Sequence, residues 1–306
     1  MSGIIVLDKP RGIGSNRAMS RLKRLLGVRK MGFLGTLDPL ASGVLPVFVG
    51  QATRLIPAFE GADKDYEVTL RLGEATDTYD ADGTVLARAD TAGLTPQSVQ
   101  AAVESFSGEQ RQVAPAYSAV KHAGVPAYTL ARQGKPVPLR ERTVRLRVGS
   151  VDCSALPEVR FAVHCSSGAY MRSLAHDIGR RLGVGGHVTA LRRTRCGEWF
   201  SLAQSITLET LAERAARQDF AFLLNPAELL QDYRALIVEA AQEQALRQGR
   251  AIPLHPLAEG ALPGAQAVAP LQKMKAIRSC GTLVAIGEVV AGQRGDLGFQ
   301  PRRVLA

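Results

Sequence analysis

An aspartate in a glycine-flanked segment is the strongest candidate for a reactive group in this sequence. The segment reads Gly35-Thr36-Leu37-Asp38-Pro39-Leu40-Ala41-Ser42-Gly43. Because a proline restricts the residue before it to extended backbone, Pro39 holds the Asp38 carboxylate away from the local turn. The glycines on both sides allow a ligand or another segment to approach closely. From the residues alone, Asp38 is either a turn or capping residue or a catalytic carboxylate.

Patterns that would bind a cofactor or a metal are weak. Gly12-Ile13-Gly14 lacks the third glycine of a dinucleotide fingerprint, and Gly134-Lys135 is followed by proline, not by the Ser or Thr of a phosphate-binding loop. The four cysteines have no Cys-x-x-Cys spacing, and the five histidines show no His-Glu-x-x-His pattern. We therefore expect no metal and no cofactor. Scattered thiols, without a signal sequence or a membrane-length apolar run, predict a cytoplasmic protein.

Positive charge is abundant and clustered. The net charge is +10, with eight basic and no acidic residues from Lys9 to Lys30, and eight basic residues against one acid from Arg111 to Arg147. A third cluster lies between Arg172 and Arg195. One such run is equally compatible with a solvated helix face. Three of them favour a phosphate backbone as partner, since each neutralised phosphate releases counterions.

Hydrophobic periodicity predicts the elements that would position these residues. The predicted strands include Ile4–Leu7, Tyr66–Leu72, Val144–Val151, Val159–Cys165 and His187–Leu191, and the predicted helices run from a Ser15 cap to Gly27, from Pro96 to Gly108 and from Ala169 to Leu182. Strands and helices do not alternate strictly, which indicates an α+β fold. After Asn225-Pro226 the pattern changes to short strands. We expect one domain over residues 1–228 and a small, mainly β domain over 232–306.

Several blocks, in one order, carry a family resemblance. They are Leu7-Asp8-Lys9-Pro10, Gly35–Leu45, Lys64-Asp65-Tyr66, Thr76-Asp77-Thr78, Asp80-Ala81-Asp82-Gly83, Tyr117-Ser118-Ala119, Gly168-Ala169-Tyr170-Met171-Arg172 and Leu191-Arg192-Arg193. With these blocks the sequence resembles the bacterial tRNA pseudouridine-55 synthases of the TruB family. The resemblance implies a pseudouridine synthase fold, with a mixed, largely antiparallel central sheet and flanking helices, followed by a PUA-like RNA-binding domain. It also implies a cofactor-free isomerisation of uridine-55 in the T loop of tRNA, with base flipping.

The resemblance also implies roles for single residues. Asp38 matches the catalytic aspartate, Tyr66 the tyrosine that stacks on the target base, and Arg172 the arginine that pairs with the aspartate and is expected to lower its pKa. Leu191 matches an apolar residue of the pocket. The wider set of expected substrate-binding residues is Lys9, Lys64, Tyr170, Lys121 and Arg132. The last two belong to an expected RNA-gripping insertion over residues 111–142, where turn residues, bases and aromatics interleave.

One position departs from the family pattern. Phe33 stands where the family usually has a histidine that helps to fill the place of the flipped base, and Leu34 replaces a usual threonine. A phenylalanine ring also stacks on bases, so we expect extrusion of the uridine to be preserved.

Two alternative functions remain open from the sequence. One is a non-catalytic RNA-binding or tRNA chaperone protein that uses the same basic surface. The other is the guide-RNA-dependent relative that works inside a ribonucleoprotein. The 111–142 insertion and the absence of lysine-rich tails favour a stand-alone monomer that acts on the T arm of tRNA, without a membrane or an obligatory protein partner.

Overall fold

The computed structural model describes residues 1–118, 121–122, 124–137, 141–254, 272–291 and 297–305. Its strands are β1 Gly3–Lys9, β2 Met31–Phe33, β3 Ala41–Val49, β4 Lys64–Leu72, β5 Glu74–Thr76, β6 Val85–Arg88, β7 Gly108–Val113, β8 Lys121–His122, β9 Val125–Pro126, β10 Glu141–Ala155, β11 Glu158–Cys165, β12 Gly186–Cys196, β13 Phe200–Ser201, β14 Arg234–Ile237, β15 Ile252–Pro253, β16 Lys273–Ile277, β17 Leu283–Ala291 and β18 Leu297–Val304. Its α-helices are α1 Ser15–Leu26, α2 Ile56–Phe59, α3 Pro96–Glu104, α4 Ala127–Arg132, α5 Met171–Arg181, α6 Leu208–Ala216, α7 Pro226–Leu229 and α8 Ala240–Arg247.

A nine-stranded sheet forms the centre of the larger part of the molecule. Seven strands follow the order β1-β3-β12-β4-β11-β10-β7, with β2 beside β3 and β13 beside β12. The β12–β3 pair is parallel, and the other pairs in this sheet are antiparallel. The expected α+β fold with a mixed, largely antiparallel central sheet is therefore confirmed. Its middle strands β3, β12 and β4 carry or adjoin the residues singled out above.

Both faces of this sheet are covered by apolar side chains. On one face, α5 buries Met171, Leu174, Ala175 and Ile178, which recur at helical spacing. On the other face, Phe48, Phe59, Trp199 and Phe200 form a cluster with ring centroids 4.9–6.3 Å apart. A strand buried on both faces reads as a continuous apolar run, as β3 does.

A second sheet of five strands follows residue 233, in the order β14-β16-β17-β18-β15. It has its own core around Leu246, Val289 and Phe299. Leu283 and Ile286 of β17 join the aromatic cluster of the first sheet, so the two parts share an apolar contact. Lys275 strengthens that contact, because its ammonium donates to carbonyl oxygens of the 227–230 segment at 2.7 and 3.0 Å.

Two predicted helix starts are wrong. Helix α1 has Gly14 as its N-cap, while Ser15 is the first helical residue. The Ser15 hydroxyl bonds instead to the backbone of Leu37, accepting from its N–H at 2.7 Å and donating to its carbonyl at 2.9 Å. Helix α5 begins at Met171 and not at Ala169, because Tyr170 keeps extended backbone as its N-cap. Through its two hydrogen bonds to Leu37, the Ser15 hydroxyl anchors the segment that carries Asp38.

Candidate active site

Asp38 lies in a loop that leads directly into β3. Its carbonyl accepts from the N–H of Ala41 at 3.1 Å, which closes a turn before the strand. Near its start, β3 passes so close to β12 that a Cβ on Gly43 would lie 2.2 Å from the carbonyl oxygen of Arg193, and the φ of Gly43 is +99°. Only glycine fits such a backbone. The Arg193 guanidinium donates to Val44 O at 2.6 Å and Gly35 O at 2.9 Å, and so ties both ends of the loop.

Helix α5 brings Arg172 to this loop. Nε of Arg172 donates to Oδ2 of Asp38 at 2.9 Å, and the arginine side chain is only 6% exposed. Its two terminal nitrogens donate to the carbonyls of Thr78 at 3.0 Å and Tyr117 at 2.9 Å. Nη1 also lies 3.6 Å from Oδ2 of Asp80. The guanidinium is therefore held on every side, and it fixes the orientation of the Asp38 carboxylate.

Asp80 is in turn held by its own loop, residues 77–83. Its carboxylate accepts from the Thr78 hydroxyl at 2.6 Å and from the N–H of Asp82 at 3.1 Å. The Thr76 hydroxyl donates to the carbonyl of Asp80 at 2.8 Å. Asp80 is buried, and the Arg172 guanidinium lies between the carboxyl groups of Asp38 and Asp80.

A cavity of about 340 Å³ opens beside Asp38, within the range of about 300–1,000 Å³ that is usual for small-ligand sites. It is lined by Gly35, Thr36, Leu37, Asp38, Ala41, Lys64, Tyr66, Ser118, Ser167, Gly168, Ala169, Tyr170, Met171, Arg172, Leu191 and Arg193. Register explains the convergence, because Leu191 of β12 pairs with Ala41 of β3, and Tyr66 of β4 pairs with Arg193 of β12. The side chains of Asp38, Tyr66 and Leu191 thus meet at a space of ligand size.

The electrostatics of Asp38 differ from the expectation. Burial of the carboxylate among the cavity walls raises the pKa of Asp38, although 40% of the side-chain surface still faces the cavity. Arg172 lowers the pKa of Asp38, as expected, but does not offset the effect of burial. Asp80 raises the pKa of Asp38 further. The prediction of a lowered pKa is therefore wrong in its net direction. Arg172 limits the rise and so favours the ionised form.

Two models of known families match consecutive parts of the chain. Residues 23–171 match the N-terminal domain of the TruB family pseudouridylate synthases, and residues 172–247 match the C-terminal domain of tRNA pseudouridylate synthase B. The chain is 41% identical over 293 residues to tRNA pseudouridine synthase B of Geobacter sulfurreducens, covering 95% of each chain. It is 42% identical over 272 residues to the protein of that name from Nitrosospira multiformis, covering 87% of each.

The chain belongs to the TruB family.

Solved structures of TruB relatives share the fold. A chain of a Cbf5–Nop10–Gar1 complex superposes with a TM-score of 0.68 at 26% identity, covering 99% of this chain and 85% of that chain. A chain of an H/ACA ribonucleoprotein bound to a substrate RNA with 2'-deoxyuridine gives the same TM-score at 23% identity, with the same coverage. The predicted pseudouridine synthase fold is confirmed by these likenesses.

Most residues assigned from the TruB resemblance meet at the cavity. Asp38, Lys64, Tyr66, Tyr170, Arg172 and Leu191 all line it. Burial raises the pKa of Tyr66 to about 12, so its hydroxyl stays protonated at neutral pH. Burial also lowers the pKa of Lys64, whose ammonium donates to the carbonyl of Ala62. The roles of these residues toward a substrate stay predictions.

Lys9 is not among the residues that line the cavity, and its expected role in substrate binding stays a prediction. Its side chain is 0% exposed, and its ammonium donates to Pro10 O at 2.9 Å and Ile13 O at 2.6 Å. Burial lowers the pKa of Lys9 to about 8, with Asp38 acting in the opposite direction. The Lys9 ammonium therefore stabilises the turn before α1 from inside the molecule.

Three further residues that were expected to bind substrate are not seen at the cavity. Phe33 is half-buried on β2, opposite Val47 of β3, and packs against the main core. It is not among the cavity-lining residues, and its wedge role stays a prediction. Lys121 lies on β8 and Arg132 ends α4, but their side chains are outside the described part of the chain.

The sequence reasoning assigned no role to Asp80, Thr78 or Arg193. All three lie in blocks that carry the TruB resemblance, and membership of these blocks was the one signal that pointed to them. Their spacing along the chain did not predict that they contact the residues around Asp38. The Ser118 hydroxyl, which lines the same cavity, is buried and has no partner among the described residues.

Within the described ranges, His, Cys, Asp and Glu side chains form no group of three or more that would hold a metal ion. Across the same ranges, no helix combines the length and the apolar character needed to cross a membrane.

Proposed function

We propose that this protein isomerises uridine-55 in the T loop of tRNA to pseudouridine, with Asp38 as the reacting group. The observation that carries the proposal is the Asp38 carboxylate, oriented by Arg172 at 2.9 Å and facing a cavity lined by Tyr66 and Leu191. The names of the curated TruB relatives supply the substrate class and the reaction. The T-loop position comes from the family resemblance.

The proposed reaction breaks the bond between C1' of the ribose and N1 of the uracil, turns the base, and joins C1' to C5. C5 loses a proton when its bond to C1' forms, and N1, freed from the sugar, gains one, so no redox partner or outside group is needed. The ionised Asp38 acts either as a nucleophile or as a base. The phenol ring of Tyr66 offers a face on which a flipped uracil can stack. Removal of a base from a duplex costs a few kcal/mol.

The surface around α1 supports RNA as the substrate. Arg11, Arg17, Arg24 and Arg29 are exposed, and within the described residues none of them pairs with a carboxylate. The start of the helix, at Gly14, Ser15 and Asn16, borders a second space of about 550 Å³ that also reaches Asp38. Exposed cations around a helix whose start borders this space suit the phosphates that flank an everted nucleotide.

Incubation with an unmodified tRNA transcript tests the proposal. Chemical mapping with a carbodiimide reagent should show one new pseudouridine at position 55, and none in a matched transcript that carries cytidine there. Retention of the tRNA without any pseudouridine would instead support the non-catalytic RNA-binding function. A product that forms only with an added guide RNA or partner protein would contradict stand-alone action.

A further inference from the structure

Beside the active site, the rings of Tyr79 and His176 stack on each other. Their centroids are 4.0 Å apart and their planes differ by 16°. Tyr79 belongs to the 77–83 loop, and His176 lies on α5 about one turn after Arg172. The stack therefore joins the loop that holds Asp80 to the helix that carries Arg172.

Tyr79 has an unusual backbone. Its φ is +62°, in the left-handed region that residues with a side chain rarely adopt. Its N–H donates to Thr76 O at 3.3 Å, and its carbonyl accepts from the N–H of Val188 on β12 at 3.0 Å. The ring stack with His176 adds a third contact, from α5. Such strain persists only where the surroundings enforce it, and it is concentrated at functional sites.

Both chain neighbours of Tyr79 contact Arg172. Thr78 accepts from Nη1 of Arg172 through its backbone carbonyl at 3.0 Å, and Asp80 lies 3.6 Å from the same nitrogen. A return of Tyr79 to ordinary backbone would rotate the peptide planes on both sides. Both groups would then move away from the guanidinium together.

We propose that the Tyr79–His176 stack positions Arg172, and through it the carboxylate of Asp38. The inference rests on the proposed function. Neither ring lines the cavity around Asp38, so both are positioning residues. Nδ1 of His176 is buried and makes no hydrogen bond within the described residues. The 77–83 loop therefore contacts His176 through the face of its ring, and we expect another aromatic ring at this position to preserve the contact.

The charged groups near the stack are Asp177 and Arg180, both on α5. Burial lowers the pKa of His176, so the imidazole is neutral in the neutral pH range. Burial and Asp177 raise the pKa of Tyr79, so its phenol is neutral there as well. Two neutral rings stack without charge repulsion.

The test uses the full chain and two pairs of variants. His176→Ala and Tyr79→Ala remove the stack, and alanine at position 79 keeps the strain of a side chain at positive φ. His176→Phe and Tyr79→Phe keep two rings. For each variant, the single-turnover rate of pseudouridine formation is measured at saturating enzyme over about pH 5–9. The tRNA affinity and the melting temperature are measured in parallel.

We expect the two stack-removing variants to react about tenfold more slowly at neutral pH, with tRNA affinity unchanged. Their acid limb should move to higher pH, because a loosened Arg172 opposes the raised pKa of Asp38 less. The two phenylalanine variants should keep the wild-type rate and limb. The inference is wrong if all four variants match the wild type, or if rate falls only with melting temperature while the acid limb stays in place. A wild-type protein that forms no pseudouridine would instead overturn the proposed function.

Discussion

Nε of Arg172 donates to a carboxylate oxygen of Asp38 over 2.9 Å, while the other two guanidinium nitrogens are engaged by backbone carbonyls of Thr78 and Tyr117. The arginine is buried and the aspartate is partly open to the cavity. This asymmetry means that the fold fixes the cation and leaves the anion free to meet a substrate. A planar donor with all of its edges occupied fixes the orientation of its partner and favours the ionised form of that partner.

Replacement of Arg172 should therefore affect the chemical step more than tRNA binding. Arg172→Lys keeps the charge but loses the planar fork, and we expect a loss of about 10²-fold in single-turnover rate, with a larger loss in Arg172→Met. The acid limb of the Arg172→Met profile should lie at higher pH, since burial would then raise the pKa of Asp38 without opposition from the arginine. Arg180→Lys, at an exposed position of the same helix, is the control. Equal rates for Arg172→Lys and the control would contradict the positioning of Asp38 by Arg172.

The placement of Asp38 next to Arg172 could be expected from sequence only through the family pattern. The two residues are separated by more than a hundred positions, and they meet because β12 pairs in parallel with β3 while α5 precedes β12. Local periodicity does predict β4, α1 and α5, since their apolar residues recur at the spacing of each element. Pairing order between distant strands has no such local signal.

Neither the burial of Lys9 nor the direction of the Asp38 pKa shift could be predicted from the sequence. A lysine in a run of eight bases reads as a surface residue, yet its ammonium satisfies the carbonyls of a tight turn inside the molecule. The sign of a pKa shift depends on the balance between desolvation and nearby charge, which only the geometry supplies. Ser15 was misjudged for a related reason, because its partner, Leu37, lies in another segment.

Lys9 should give the protein a distinctive stability profile. Its pKa is lowered to about 8 in the native state from 10.5 in the unfolded chain. Between these values the unfolded chain holds a proton that the native state lacks, so the free energy of unfolding should rise as pH increases from about 8 to 10. Denaturant titrations of the wild type and Lys9→Met across this range measure the effect. The rise should be smaller in Lys9→Met, which keeps only other groups such as Lys64; the same slope in both proteins would show that the Lys9 ammonium does not contribute to it.

Close packing at Gly43 should make this residue irreplaceable. An alanine there would place Cβ 2.2 Å from the carbonyl oxygen of Arg193 on β12, at a φ of +99°. Gly61 is a matched control, because its φ is +83° and a Cβ added to it would meet no atom within 4 Å. We expect Gly61→Ala to lower the free energy of unfolding by about 1 kcal/mol, and Gly43→Ala by about 3 kcal/mol or more. Similar costs for both would mean that the β3–β12 contact is looser than described.

The exposed arginines of α1 should contribute to tRNA affinity and not to the chemical step. Arg17→Glu and Arg24→Glu should raise Kd while the rate at saturating enzyme is retained. Each lost phosphate contact should reduce the slope of log Kd against log salt concentration by about 0.7–0.9. Arg160→Glu, at an exposed arginine that already pairs with Glu158, serves as the control. If the slope of log Kd against log salt concentration were unchanged in both α1 variants, these arginines of α1 would not contact phosphates of the RNA.

The most direct measurement compares the wild type with Asp38→Asn on the same tRNA transcript. The amide keeps the size of the side chain and a hydrogen-bonding oxygen for Arg172, but it cannot ionise. We expect Asp38→Asn to bind the transcript with an affinity close to that of the wild type, and to form no pseudouridine at position 55 within the time of many wild-type turnovers. Pseudouridine formation by Asp38→Asn at a rate comparable to that of the wild type would contradict the assignment of the chemistry to this carboxylate.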